Sequence, residues 1–176
     1  MARVSLVEKD QAHPMVRETY EKNEAVTGRI INLWKVMGHC PYVGLNFQRL
    51  GNSLLRGEEL PANLRELAVL RVGHLAESEY EFKQHTPIAL QSGVSQKQID
   101  DIPDWANSTH FDDEERAVLA YTDEVARDIK VRDETFANLW SFLSEHAIVE
   151  LTTAVGYWGM AARILVALEV DLDVGS

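Results

Sequence analysis

Apolar residues recur every three or four positions along most of the chain, and this spacing predicts α-helices. The clearest stretch follows Pro61, a residue that suits the first turn of a helix. Its apolar positions are Leu64, Leu67, Ala68, Val72 and Leu75. Strand-like alternation is not convincing anywhere, so we predict an all-α fold.

Polar residues that favour helix ends divide the rest of the chain into further helices. Ser95 and Gln98 have the spacing of a capping box, in which each side chain satisfies a backbone donor of the first turn. The predicted helices after residue 75 span 78–92, 112–130 and about 144–169, with shorter ones beginning at 95 and 133. Earlier helices are expected in "VRETYEKNEAVTG" and "YVGLNFQRLGNSLLRG", joined through "NLWKVMGHCPYV". The last segment is apolar on nearly every face, which predicts a central position or a subunit interface.

Length and composition fit one globular domain covering residues 1–176, because the 176 residues are 45% hydrophobic. The 28 acidic side chains outnumber the 17 basic ones, for a formal charge of -11. Such a field repels phosphate backbones and anionic membrane surfaces, so we expect neither nucleic acid nor membrane as a partner. Cys40 is the only cysteine, and no signal-like apolar segment opens the chain. A cytoplasmic protein is therefore expected.

The stretch "AESEYEFKQH" holds the candidate chemistry. Ser78 and Glu81 have the S-x-x-E spacing of a capping box, which is a structural interpretation in its own right. His85 follows Glu81 by four residues, so on a helix the imidazole and the carboxylate share a face. A carboxylate beside a histidine orients the ring for general acid or base work. The pattern leaves capping and catalysis open, and the two are compatible.

Two other chemistries are weaker on sequence grounds. Glu81 and His85 offer at most two metal ligands, and neither a second histidine on that helix nor a cysteine completes a site, so no metal is expected. Cys40 in "GHCPY" is either a thiolate nucleophile near a helix start or a small buried apolar residue.

The run "LPANLRELAVLRVGHLAESEYEFKQHTPIALQSGVSQKQI" resembles the carboxymuconolactone decarboxylase family, which includes the alkylhydroperoxidase D-like proteins. Flanking stretches such as "DDEERAVLAYTDEVARD" and "ELTTAVGYWGMAARILVAL" extend the resemblance, with a core at about 30–170. It implies a helical bundle of roughly seven or eight helices that assembles as a trimer or a hexamer.

The peroxidase branch of that family has a glutamate, a C-x-x-C pair and a histidine four residues beyond the second cysteine. Matched by position, Glu66 falls on the glutamate and His85 on the histidine, while Ser78 and Glu81 replace the two cysteines. Peroxide reduction by disulfide cycling needs both thiols, so this activity is not expected.

Without the two cysteines, the remaining residues resemble the decarboxylase branch better. This resemblance implies acid–base chemistry without a cofactor on a small carboxylated or carbonyl compound. In this interpretation His85 is the acid or base, Glu81 its charge partner and Glu66 an orienting residue. Ser78 and Arg71 are the expected substrate contacts, with Arg163 a second cation that could hold a carboxylate. The alternatives are a peroxidase homologue whose redox activity is lost, is altered or relies on Cys40, and a non-catalytic oligomeric ligand-binding protein.

Overall fold

The computed structural model describes residues 2–173, which form helices joined by short loops and contain no strand. This confirms the all-α prediction. A short 3-10 helix at Ile102–Asp104 follows the sixth α-helix. The α-helices are α1 (Pro14–Thr27), α2 (Asn32–Met37), α3 (Pro41–Arg56), α4 (Ala62–Leu75), α5 (Glu79–Gln91), α6 (Gln96–Asp101), α7 (Asp113–Asp128), α8 (Asp133–Trp140) and α9 (Glu145–Ala167).

Helix ends follow the capping residues that the pattern predicted. The Ser95 hydroxyl accepts from the Gln98 amide while the Gln98 side chain accepts from the Ser95 amide, which completes the capping box of α6. Helix α7 ends two residues earlier than predicted, because Ile129 adopts a left-handed φ of 65°. The segment expected to join the first two helices contains α2, a helix that the sequence pattern did not resolve.

Two helices form the centre of the molecule. Every residue of α4 from position 64 to position 73 is buried, including three charged ones. Helix α9 contacts α3, α4, α5, α7 and α8, so it takes the first of the two positions predicted for it, the centre of the chain. Within residues 2–173, no helix is both long and apolar enough to cross a lipid bilayer.

A tight junction between α4 and α5 positions the candidate site. The Ser78 amide donates to the Gly73 carbonyl at 2.9 Å, and Glu77 takes a positive φ of 52° to turn the chain. A Cβ placed on Gly73 would lie 3.3 Å from the Glu81 Cβ, so a side chain there would crowd the start of α5. The first turn of α5 is therefore pressed against α4, the helix that carries Glu66.

Candidate active site

A cleft of about 790 Å³ opens between the first three helices on one side and α5 and α9 on the other. Apolar and amide side chains form most of its wall, which is the usual makeup of a small-molecule site. Glu81, His85 and Trp158 all line it and are all buried. The cleft therefore contains two of the three residues to which the sequence assigned chemistry.

His85 is held at both ring nitrogens. Its Nδ1 lies 2.8 Å from Glu66 Oε2, and its Nε2 accepts a hydrogen bond of 2.7 Å from the Trp158 indole N–H. Because an indole nitrogen can only donate, Nε2 must carry a lone pair, and Nδ1 must then carry the proton that Glu66 accepts. The two partners together select the neutral Nδ1–H tautomer and fix the plane of the ring.

Glu66 is the anchor of this arrangement. Its side chain is fully buried, and its second oxygen, Oε1, accepts from Arg65 Nε at 3.0 Å. A buried carboxylate is tolerated when its oxygens have such partners. The structure thus places Glu66 where the sequence expected an orienting residue, in direct contact with the imidazole.

Glu81 differs from its neighbours because its carboxyl group accepts no hydrogen bond from any residue in the described part of the chain. Its Oε2 lies 3.7 Å from His85 Nε2, beyond hydrogen-bond length. Burial raises the pKa of this carboxyl from its ordinary value of 4.5 to about 7, with His85 opposing the rise and Glu66 adding to it. Glu81 can therefore gain or lose a proton near neutral pH.

The expected capping box at Ser78 is only half formed. The Ser78 hydroxyl accepts from the Glu81 amide at 3.4 Å, but the Glu81 carboxylate does not return to the Ser78 amide, which bonds to Gly73 instead. This frees the Glu81 side chain to face the cleft. Ser78 itself is buried and does not line the cleft, so the structure gives no support to its expected contact with substrate.

Arg71 lies outside the site as well. Its guanidinium forms a two-point ion pair with Asp123, at 2.5 and 2.8 Å, and donates to the carbonyls of Ile102 and Pro103. With its donors occupied on the side of α4 that faces α7, Arg71 has no access to the cleft. The structure therefore does not bring Arg71, the expected partner of a substrate carboxylate, to the cleft that contains Glu81 and His85. Arg163 is likewise absent from the cleft wall and donates to the Gly159 carbonyl.

Sequence reasoning missed two residues of the cleft. Trp158 lies in an apolar helix, where the pattern predicts a core or interface residue, yet its N–H controls the ring of His85. Tyr157 presents a hydroxyl that has no hydrogen-bond partner within residues 2–173, and burial and the nearby Glu81 raise its pKa. The sequence around Trp158 and Tyr157 does not predict either role. An aromatic residue in an apolar helix is expected to be buried, but its hydrogen-bond partner depends on which helices pack against it.

Cys40 precedes α3 and does not line the cleft. It is exposed, so its interpretation as a small buried residue was wrong. Among residues 2–173, no group of three or more histidine, cysteine, aspartate or glutamate side chains is placed to hold a metal ion.

Comparison with known proteins supports the resemblance seen in the sequence. Residues 41–124, which include α4 and α5 and extend into α7, match the model of the carboxymuconolactone decarboxylase family. No curated protein matches the sequence.

Solved structures share the architecture over most of the chain. A peroxidase-related protein with an alkylhydroperoxidase AhpD core from Ralstonia eutropha is 15% identical, with a TM-score of 0.88 over 98% of this chain and 92% of its own. A cysteine-to-alanine variant of the debrominase Bmp8, in complex with 2,3,4-tribromopyrrole, is 20% identical, with a TM-score of 0.80 over 98% and 94%. A protein of unknown function from Agrobacterium tumefaciens is 22% identical, with a TM-score of 0.73 over 78% and 95%. These similarities confirm the predicted AhpD-like fold.

Proposed function

We propose that this chain, which matches the carboxymuconolactone decarboxylase family over residues 41–124 and has an AhpD-like fold, is an enzyme that moves protons on a small carboxylated or carbonyl compound without a cofactor. Decarboxylation and isomerisation are the leading reactions. The observation that carries the proposal is the Glu81 carboxyl group, which is buried at the cleft, lacks a hydrogen-bond partner in the described chain and titrates at a pKa of about 7.

The proposal exchanges the roles that the sequence suggested for Glu81 and His85. Both nitrogens of His85 are engaged by Glu66 and Trp158, so the ring has no free lone pair to offer a substrate. Glu81 has unengaged oxygens and an accessible proton. Glu81 is therefore the proton carrier. His85 is a positioning residue, whose fixed ring provides a polar neighbour for the Glu81 carboxyl group.

A decarboxylation at this site balances as follows. The bond between the substrate's ring carbon and its carboxylate breaks, CO₂ leaves, and the electron pair moves into the conjugated carbonyl to give a dienolate. Protonated Glu81 then delivers its proton to the distal carbon of the dienolate, which shifts the double bond. The resulting Glu81 carboxylate takes a proton from water to complete the cycle.

An isomerisation uses the same group in the opposite order. The Glu81 carboxylate removes a proton from the carbon beside a carbonyl, and the electron pair is delocalised onto the carbonyl oxygen. The same carboxyl then returns the proton at the far end of the conjugated system. The Tyr157 hydroxyl, free of partners within residues 2–173, is available to donate to that developing oxyanion.

Replacement of the carboxyl tests the proposal directly. Glu81→Gln should lower turnover on the order of a hundredfold or more, because an amide cannot exchange a proton, while helix content and oligomeric state stay unchanged. Turnover is followed by NMR in D₂O on a set of small unsaturated lactone acids, as CO₂ release and deuterium incorporation. Glu79→Gln, an exposed residue of the same helical turn that pairs with Lys83, is the matched control and should be neutral.

Other outcomes would favour the alternatives to this function. Unchanged turnover in Glu81→Gln would remove the acid–base role and leave the residue as a structural part of α5. Ligand binding without turnover in the wild-type protein would favour the non-catalytic binding protein. The redox alternative draws no support from geometry, since the only thiol, Cys40, lies away from the cleft.

A further inference from the structure

One permanent cation lines the cleft. Among its wall residues within 2–173, Arg29 is the only arginine or lysine, and Glu81 is the only carboxylate. Arg29 follows α1 and is exposed. The cleft therefore contains one fixed positive charge at its surface and one proton-exchanging group in its interior.

The Arg29 guanidinium has no ion pair and no hydrogen bond with any residue from 2 to 173, although acidic side chains far outnumber basic ones. The arginines that the sequence had suggested for a substrate carboxylate are engaged by protein groups, Arg71 by Asp123 and Arg163 by a backbone carbonyl. All five N–H donors of Arg29 remain available, and a guanidinium matches a carboxylate in a two-point geometry.

The backbone that carries Arg29 is fixed. Gly28 ends α1 in a left-handed conformation with φ of 74°, and its amide donates to the Glu24 carbonyl at 2.8 Å. The Thr27 hydroxyl bonds to the Arg29 carbonyl at 2.8 Å. The backbone at the root of the side chain is thus held at the edge of the cleft, which limits the entropic cost of binding to the ordering of the side chain itself.

A second unused donor lies on the same wall. Asn23 lines the cleft, and its Nδ2 is buried without a hydrogen-bond partner in the described chain. Its Oδ1 accepts from Gln48 Nε2 at 2.8 Å, which identifies Nδ2 as the donor that is left without a partner. A buried N–H without an acceptor is costly, and a small rotation would let an incoming oxygen satisfy it.

We propose that Arg29, together with Asn23 from the same wall of the cleft, forms the subsite that binds a carboxylate group of the substrate. The substrate is then an organic acid and not a neutral carbonyl compound. This assignment rests on the proposed function in one respect, namely that the bound acid is the substrate with which Glu81 exchanges a proton. It also explains how a protein with a formal charge of -11 admits an anion, since the local cation acts against the repulsion of the whole molecule.

Binding is measured separately from turnover by NMR of the tryptophan indole N–H signals. Trp34 and Trp158 line the cleft, while Trp105 and Trp140 do not and serve as internal references. The probes are benzoate, cinnamate and adipate, each compared with its neutral amide. At least one acid should shift the Trp34 and Trp158 signals and bind roughly tenfold more tightly than its amide.

The Arg29→Gln variant should lose this preference, with roughly tenfold weaker binding of the acid and unchanged binding of the amide. Arg127→Gln removes the same charge from an exposed arginine outside the cleft and should bind like the wild type. Equal binding of acids and amides, equal binding in Arg29→Gln, or no response to any of the acids would each overturn the subsite.

The Glu81→Gln variant distinguishes the two proposals. Retained acid binding with lost turnover supports both of them. Retained turnover in Glu81→Gln, together with weakened acid binding in Arg29→Gln, would overturn the role of Glu81 and leave the carboxylate subsite standing. Lost turnover in Glu81→Gln, together with equal binding of acids and amides, would support the role of Glu81 and overturn the carboxylate subsite.

Discussion

Helix α4 contributes to two buried charge clusters, and they differ in how far their charges are satisfied. In the Arg71 cluster, which consists of Arg71 and Asp123, the guanidinium contacts both carboxylate oxygens and two backbone carbonyls. The His85 cluster comprises Arg65, Glu66, His85 and Glu81. Each of its first three members has at least one hydrogen-bond partner, but the Glu81 carboxyl faces the cleft without a hydrogen bond from the described chain.

The difference separates a structural use of buried charge from a chemical one. A saturated ion pair has nothing left to give a ligand and holds two helices together. An incompletely satisfied carboxyl group costs stability, because its charged form is poorly solvated, but that same cost brings its pKa to about 7. The comparison predicts opposite responses to mutation in the two clusters.

The largest expected effect is on the Arg71 cluster. Arg71→Met leaves the Asp123 carboxylate half-buried without its partner, so the free energy of unfolding should fall by about 3–5 kcal/mol. Chemical denaturation measures the loss. Arg132→Met, which removes an exposed guanidinium from its pair with Glu124, is the control and should change stability little. A small loss in Arg71→Met would mean that the saturated cluster is not structural.

The second effect has the opposite sign. Because the folded state raises the pKa of Glu81 from 4.5 to about 7, its stabilising contribution is complete below pH 4.5 and is lost as pH rises through about 7. The amide in Glu81→Gln does not titrate, so the variant does not lose this stability. Relative to the wild type, its free energy of unfolding should rise by roughly 3 kcal/mol as the pH increases from 4.5 to about 7. Denaturation at several pH values measures the gain, and Glu79→Gln should show no such trend. A constant difference would place Glu81 in a satisfied environment.

A smaller effect is expected from the indole that restrains the His85 ring. Trp158→Phe removes the donor to Nε2 and should cost about 1–2 kcal/mol of stability. The ring then loses the partner that selects its tautomer, so the Nδ1–H form should no longer be exclusive. Nitrogen NMR of the imidazole reports the tautomer in both proteins. An unchanged ring spectrum would show that Glu66 alone fixes His85. Tyr121→Phe, which removes a hydrogen bond to Thr152, is the matched control.

The smallest effect is expected at the thiol. Cys40→Ser changes an exposed residue outside both clusters and the cleft, so stability should stay within about 0.5 kcal/mol and turnover should not change. Denaturation and the turnover assay are the measurements. A marked loss of activity would revive the redox alternative.

Part of the site was predictable because it is local. The four-residue spacing of Glu81 and His85 places both side chains on one face of α5, and the structure separates them by 3.7 Å. The serine at the start of α5 caps the helix as its sequence position suggested. The family resemblance suggested Glu66 as an orienting residue, and the structure shows it hydrogen-bonded to His85, nineteen residues away. This face of α5 lines a cleft only because α1, α2, α3 and α9 pack near it. The spacing of residues along the chain does not predict that packing.

The sequence by itself determined the helices, because caps, turn residues and apolar periodicity act within a few residues of chain and obey local rules. It also brought an acid and a histidine onto one helical face. Only the tertiary structure decided which charges are satisfied. Arg71 meets Asp123 across fifty-two positions and His85 meets Trp158 across seventy-three, through the packing of α4, α5, α7 and α9. Hydrogen-bond partners at such separations depend on how helices dock, and this leaves Glu81 as the group free to act.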